Sequence, residues 1–299
     1  VTRRRLLSLI LLVGVCLTSL PLAAQYEGRV DVNAVVVPVT VRNNKGRVVT
    51  GVARRKFELY VDGFKIPIRD LDLESDLPIS LGFIVDTSGS MMGRKLSGSQ
   101  QLINAFLQHR RPEDQLALWT FGDERVLERF PFGMGWYLLP RVLETLKPWS
   151  TTALYDMVLR VPEVLEKARH HRRAAILLTD GVDNASEISA DEAMAVAQRL
   201  DTPIYVLGVE PPPASEASEG PSFEEILTLI ADSSGGHYRR IPQAELMPQV
   251  VDELLTELSS RYILTFVTSG AGARKWRSIE VKVKGYQATT RSGYTGTLP

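Results

Sequence analysis

Asp86, Ser88 and Ser90 stand at alternate positions directly after the apolar run Leu81-Gly82-Phe83-Ile84-Val85. A carboxylate and two hydroxyls on a short glycine-containing turn suit a hard cation, because Mg²⁺ takes oxygen ligands in an octahedron and keeps several of its waters. The run has strand length, so the turn lies where a buried strand ends and a helix begins. In an open α/β sheet, ligands sit outside the carboxyl ends of the strands. A second run, Ala174-Ala175-Ile176-Leu177-Leu178, ends in Thr179-Asp180-Gly181, and Ser150-Thr151-Thr152 opens a helical pattern. Two carboxylates and three hydroxyls at strand-bordering turns could converge on one ion. Helix capping by Asp86 and Ser88 accounts for one of these turns, not for three.

The D-x-S-x-S of Asp86, Ser88 and Ser90, followed later by Thr179-Asp180-Gly181, resembles the von Willebrand factor A (integrin I-type) family. The resemblance implies a doubly wound, mostly parallel sheet and a metal-ion-dependent adhesion site. Carried over, Ser88, Ser90 and Thr152 contribute hydroxyl ligands, while Asp86 and Asp180 sit nearby and act largely through water. Mg²⁺ is the implied cofactor, with Mn²⁺ or Ca²⁺ as alternatives. The family reads G-G-T where this chain reads Ser150-Thr151-Thr152, so Thr151 is an alternative ligand. The implied partner is a protein whose acidic side chain completes the shell. The overall layout also resembles secreted bacterial proteins of an acidobacterial type that carry an A-type domain, a likeness that brings no activity with it.

A length of 299 residues allows one large or two modest domains, and 44% hydrophobic with 23% charged residues is ordinary for a globular chain. Basic and acidic residues balance at 35 each, but Arg3, Arg4 and Arg5 fall in an acid-free start, leaving a slight acidic excess beyond it. That provides no electrostatic footprint for nucleic acid. Residues 1–24 read as a secretory signal, with a basic start, an apolar stretch and small residues at Ala23 and Ala24. The stretch is short for a membrane span of ~20 residues; an uncleaved amphipathic anchor is the alternative. Cys16, the only cysteine, lies inside this leader behind Val15, a poor fit to a lipoprotein signal, so a periplasmic or secreted chain without disulfides is expected.

Residues 25–77 are β-rich, with a turn at Asn43-Asn44-Lys45-Gly46, and Pro38 inside a β run argues for an edge or a bulge. Over 78–260, strands alternate with helical patterns near 97–109, 138–146, 153–168, 191–200, 223–233 and 244–259, which indicates a parallel sheet covered on both faces. Residues 261–299 return to β character, with 262–267 and 278–283 reading as a hairpin around Gly270–Gly272. Neither β segment alone offers a stable sheet, so the two are expected to pack as one β-sandwich carrying the α/β domain as an insertion. Residues 210–222, with three consecutive prolines, read as a loop.

Lys167-Ala168-Arg169-His170-His171-Arg172-Arg173 reads as cations complementing a helix C-terminus, and His109 beside Arg110 and Arg111 reads likewise. Asp183 and Asn184 either add a second cation site or brace their turn through backbone bonds. Trp119, Trp136 and Trp149 read as core or rim, with Trp149 a possible contact beside Thr152. The chain has no H-E-x-x-H and no nucleophile elbow. The expected function is therefore a non-enzymatic binding module. A divalent-metal-dependent hydrolase or phosphatase and a structural envelope assembly protein are the alternatives. A phosphatase using an aspartyl-phosphate would want an acid where Ser88 stands, and two-metal hydrolysis needs more carboxylates.

Overall fold

The computed structural model describes residues 32–74, 77–122, 125–149, 151–212, 221–269 and 276–295. The leader with Cys16, Ser150, most of the 210–222 loop and the Gly270–Gly272 turn lie outside the described residues. The chain opens with β1 (Val32–Arg42), β2 (Phe57–Val61), β3 (Phe64–Ile66) and β4 (Asp70–Leu73). The alternating portion follows as β5 (Ser80–Asp86), α1 (Arg94–His109), β6 (Gln115–Gly122), β7 (Arg125–Phe130), α2 (Leu139–Glu144), α3 (Leu154–Glu166) and β8 (Arg173–Thr179). It continues through α4 (Ala190–Ala197), β9 (Ile204–Val209), α5 (Phe223–Ser234), β10 (Tyr238–Ile241) and α6 (Met247–Ser259). The strands β11 (Tyr262–Ser269), β12 (Trp276–Val283), β13 (Gln287–Thr289) and β14 (Gly293–Thr295) close it.

The central sheet has the order β10-β9-β8-β5-β6-β7, parallel except for β7, which runs antiparallel at one edge. β5 is buried at every position, as a strand covered on both faces must be. Its Leu81, Phe83 and Val85 join the layer under α1, α2 and α6, while Ile84 joins the layer under α3, α4 and α5. Gly82 lets α3 close down, since a Cβ there would meet Val164 at 3.0 Å and Leu165 at 3.1 Å. Capping boxes of Ser189 with Glu192 and of Ser222 with Glu225 begin α4 and α5.

The flanking unit is two four-stranded sheets, β13-β1-β11-β4 and β14-β12-β2-β3. Alternate residues such as Val37, Val39, Leu59, Leu264, Phe266, Ile279 and Val281 fill the layer between them. The hairpin expected from 262–267 and 278–283 does not form. β11 pairs with β1 and β4, whereas β12 pairs with β2 and β14. A period-2 pattern specifies which face is buried but not which strand lies alongside, and crossing between sheets gives each strand two neighbours. Pro38 occupies a stretch of β1 with only β11 beside it, because β13 reaches no further than Thr40. The last helix is tied to this unit: Glu257 on α6, buried, accepts from the Thr40 hydroxyl at 3.2 Å and from the Arg42 guanidinium, both on β1. His237 Nδ1 lies 3.3 Å from the same carboxylate.

Candidate metal centre

β5 and β8 are adjacent, but the chain leaves β5 toward β6 on one side and leaves β8 toward β9 on the other. Their carboxyl ends therefore flank the switch-point crevice where open sheets bind ligands. Asp86 ends β5 with no solvent exposure. Its Oδ1 accepts from the Ser88 amide at 2.8 Å, and its Oδ2 accepts from the Thr179 hydroxyl at 2.7 Å. Ser88 and Ser90 follow with their hydroxyl oxygens 3.0 Å apart, Ser88 buried and Ser90 exposed. Burial pushes the Asp86 carboxyl up to about 6, against the bonds from Thr179 and Ser88 and with the charge of Asp180 adding to the rise.

Asp180 follows β8 and is buried. Lys95, on the first turn of α1, donates to its Oδ2 at 2.8 Å, while its Oδ1 is sealed from solvent with no hydrogen-bond partner among the described residues. Gly181 takes φ +98°, and a Cβ there would stand 2.7 Å from Phe223, so only glycine turns the chain away from Asp180 without strain or clash.

Thr152 is buried and Thr151 exposed. The Thr152 amide donates to Asn184 Oδ1 at 2.9 Å, and its carbonyl accepts from the amides of Asn184 and Ala185. Asp183 accepts from the Leu154 amide at 2.7 Å, at the start of α3. Asp156 returns the connection, accepting from the amides of Glu187 and Ile188. The Thr152 turn and the turn after Asp180 are thus stitched together from both sides. Asp183 and Asn184 brace backbone, though that of a neighbouring loop rather than their own turn. Trp149 is half exposed on the same face, its indole N–H donating to the Thr87 hydroxyl at 3.1 Å. Trp119 is core, and Trp136 is exposed beneath the Arg110 guanidinium.

The structure therefore brings Asp86, Ser88 and Ser90 into one bonded chain, sets Asp180 beside Asp86 through Thr179, and fixes Thr152 to the loop that follows Asp180. Residues 81–182, which contain all five, match the von Willebrand factor type A domain family. The chain carries a von Willebrand factor type A domain. Sequence relatives include inter-alpha-trypsin inhibitor heavy chain H3 of Pongo abelii, 29% identical over 150 residues. Heavy chain H4 of Bos taurus is 30% identical over 133. These alignments take in 44% and 39% of this chain but only 17% and 14% of the relatives, so the chain spans a small part of their length. Among solved structures, a von Willebrand factor type A protein from Catenulispora acidiphila superposes with a TM-score of 0.52 at 15% identity, over 89% of this chain and 74% of that one.

The donors of the A domain fit a hard cation. They are oxygens throughout, and Asp180 Oδ1 is a buried anionic oxygen in need of a partner. Among the described residues no three His, Cys, Asp or Glu side chains gather around one point, so any ion here would rest mainly on hydroxyls. Lys95, Thr179, Asp183 and Asn184 bond directly to Asp180, Asp86, Leu154 and Thr152 around this crevice, contacts that the candidate ligand set does not include.

Proposed function

We propose that the A domain is a metal-ion-dependent protein-binding module that captures an acidic side chain of a partner. The orphaned Asp180 Oδ1, in the switch-point crevice with an oxygen-only donor set, carries this reading. Ser88, Ser90 and Thr152 would hold Mg²⁺ through their hydroxyls, with Asp86 and Asp180 acting through water. Mn²⁺ or Ca²⁺ would substitute. Thr152 is preferred to Thr151 because three bonds pin its backbone to the loop following Asp180. Both oxygens of Asp86 already accept protein hydrogen bonds, which favours an outer role for it. The ion would supply a positive charge for which an anionic carboxylate is a better partner than a neutral carbonyl. Lys95 already neutralises part of Asp180, so the ion should be held weakly and depend on the partner to complete its shell. Capture needs neither a general base nor a nucleophile.

The basic start and short apolar run would export the chain to the periplasm or beyond, where envelope proteins are its prospective partners. No helix among the described residues is long and apolar enough to cross a membrane. The test is capture from the envelope fraction by the full chain, with and without EDTA. EDTA and Ser88→Ala should each lower capture about tenfold or more, as losing an interaction with a charged group costs ~1.5–3 kcal/mol. A captured partner whose acidic residues can all be neutralised without loss of affinity contradicts the metal bridge.

A further inference from the structure

The amino-terminal end of the parallel sheet meets the sandwich in a cleft of about 970 Å³, within the range of small-molecule sites. It is lined by the 168–173 and 199–203 turns of the A domain and by β1, β11 and β14 of the sandwich. Six arginines line it against two acids, Glu74 and Asp201, among the described residues. Glu74 serves two of them, meeting Arg261 at 2.9 Å and Arg172 at 3.8 Å. Asp201 meets Arg173 at 3.1 Å. Arg169, Arg199 and Arg291 have no ion-pairing carboxylate among the described residues.

Four donors of the wall residues have no hydrogen-bond acceptor among the described residues: Arg172 Nε, which stands 3.8 Å from Glu74, Arg261 Nη1, Arg291 Nε and the Tyr294 hydroxyl. Each belongs to a side chain at least nine-tenths buried, with exposures of 6, 2, 9 and 6%. Leaving a buried donor unpaired costs ~1–3 kcal/mol, more for charged groups. The other guanidinium nitrogens are well placed: Arg291 Nη2 donates to the Val36 carbonyl at 2.9 Å, and Arg172 donates to the carbonyls of Leu77 and Leu258. The wall is thus concave and, among the described residues, short of negative charge.

We propose that this cleft binds a tetrahedral oxyanion, the phosphate or sulfate group of a small ligand. Arginine forks match such groups, and a tetrahedral anion presents acceptors in several directions, as donors arriving from both units require. Small rotations of Arg261 and Arg291 would turn their unpaired N–H groups onto it. Burial holds the Arg291 guanidinium below its ordinary range despite Asp201, in keeping with a charge that lacks a counter-ion. Nucleic acid is a poorer occupant, since the donors are recessed. Arg173 begins β8 and Asp180 follows its end, about 23 Å apart at ~3.3 Å per residue. Occupancy would therefore leave the metal face open and would link the A domain to the sandwich.

Calorimetry on the full chain in metal-free buffer, at ionic strength matched with NaCl, tests this with inorganic phosphate, pyrophosphate and sulfate. At least one should bind saturably, and Arg199→Gln and Arg291→Gln should each weaken it tenfold or more. Arg160→Gln, on the far side of α3 and paired with Glu163, should leave it unchanged. Phosphate or pyrophosphate bound tenfold tighter than sulfate marks a phosphate ligand, and the reverse marks a sulfate ligand. If Arg291→Gln fails to fold, the exposed Arg199 decides. No saturable heat from any of the three, or undiminished affinity in Arg199→Gln, overturns the site.

Discussion

Glu74→Gln should destabilise the protein by about 3–5 kcal/mol, the cost of removing one partner from a buried charge cluster. Glu74 is 7% exposed, and the two guanidinium groups that it faces belong to Arg172 and Arg261, at 6% and 2%. Arg261 donates twice to one carboxylate oxygen, at 2.9 and 3.2 Å. The Glu74 amide in turn donates to the Arg261 carbonyl at 2.8 Å. One acid thus joins the end of β4, the approach to β8 and the start of β11, where the A domain and the sandwich meet. Glutamine keeps the shape but takes from two buried cations the anion that they share. Against a typical total of ~5–15 kcal/mol, the loss should appear as a large fall in the urea midpoint with little change in slope. A shift under 1 kcal/mol would mean that the cluster is not buried as described.

Asp86 should limit the stability of the metal-stripped protein at neutral pH. Its carboxyl is held up at about 6, chiefly by burial, above an ordinary value of 3.8. The folded state therefore keeps a proton that the unfolded state releases across that window. The stabilisation is complete below about pH 4, falls as the pH rises to about 6 and is absent above it. At ~1.4 kcal/mol per unit the span is about 3 kcal/mol. In EDTA, Asp86→Asn should gain up to that amount over wild type at pH 7.5 and nothing near pH 4. Some of the gain will be offset, because the new amide has one oxygen where the carboxylate used two, one for the Ser88 amide and one for the Thr179 hydroxyl. Mg²⁺ should restore stability to wild type and not to the variant. Identical pH profiles for the two proteins in EDTA would refute the buried, uncompensated carboxylate.

The A-domain core was legible because strands buried on both faces are apolar at every position. The runs ending in Asp86 and Asp180 mark both sides of the crevice in the sequence itself. Helix starts were harder to read. α1 begins at Arg94 after Gly93 at φ +80°, with no side-chain cap, so nothing announces its first turn. That turn carries Lys95, whose contact with Asp180 spans 85 residues of sequence and follows only from how α1 packs on the central sheet. Asp183 and Asn184 were recognisable as residues that bind backbone, but which backbone depends on two loops meeting. The cationic run at 167–173 reads as a helix end, yet α3 stops at Glu166 and its Arg169, Arg172 and Arg173 line the junction cleft. Pairing of β11 and β12 with different sheets was beyond reach, since alternation is the same in either arrangement.

The proposed metal centre is tested most directly by titrating Mg²⁺ into the full chain in chelator-free buffer at pH 7.5, followed by calorimetry. The account predicts one weak, saturable site, at least tenfold weaker in Ser88→Ala and lost in Asp86→Ala, with both variants retaining the wild-type fold by circular dichroism. Absence of any saturable heat in the wild type, or a titration that Asp86→Ala leaves unchanged, would contradict it.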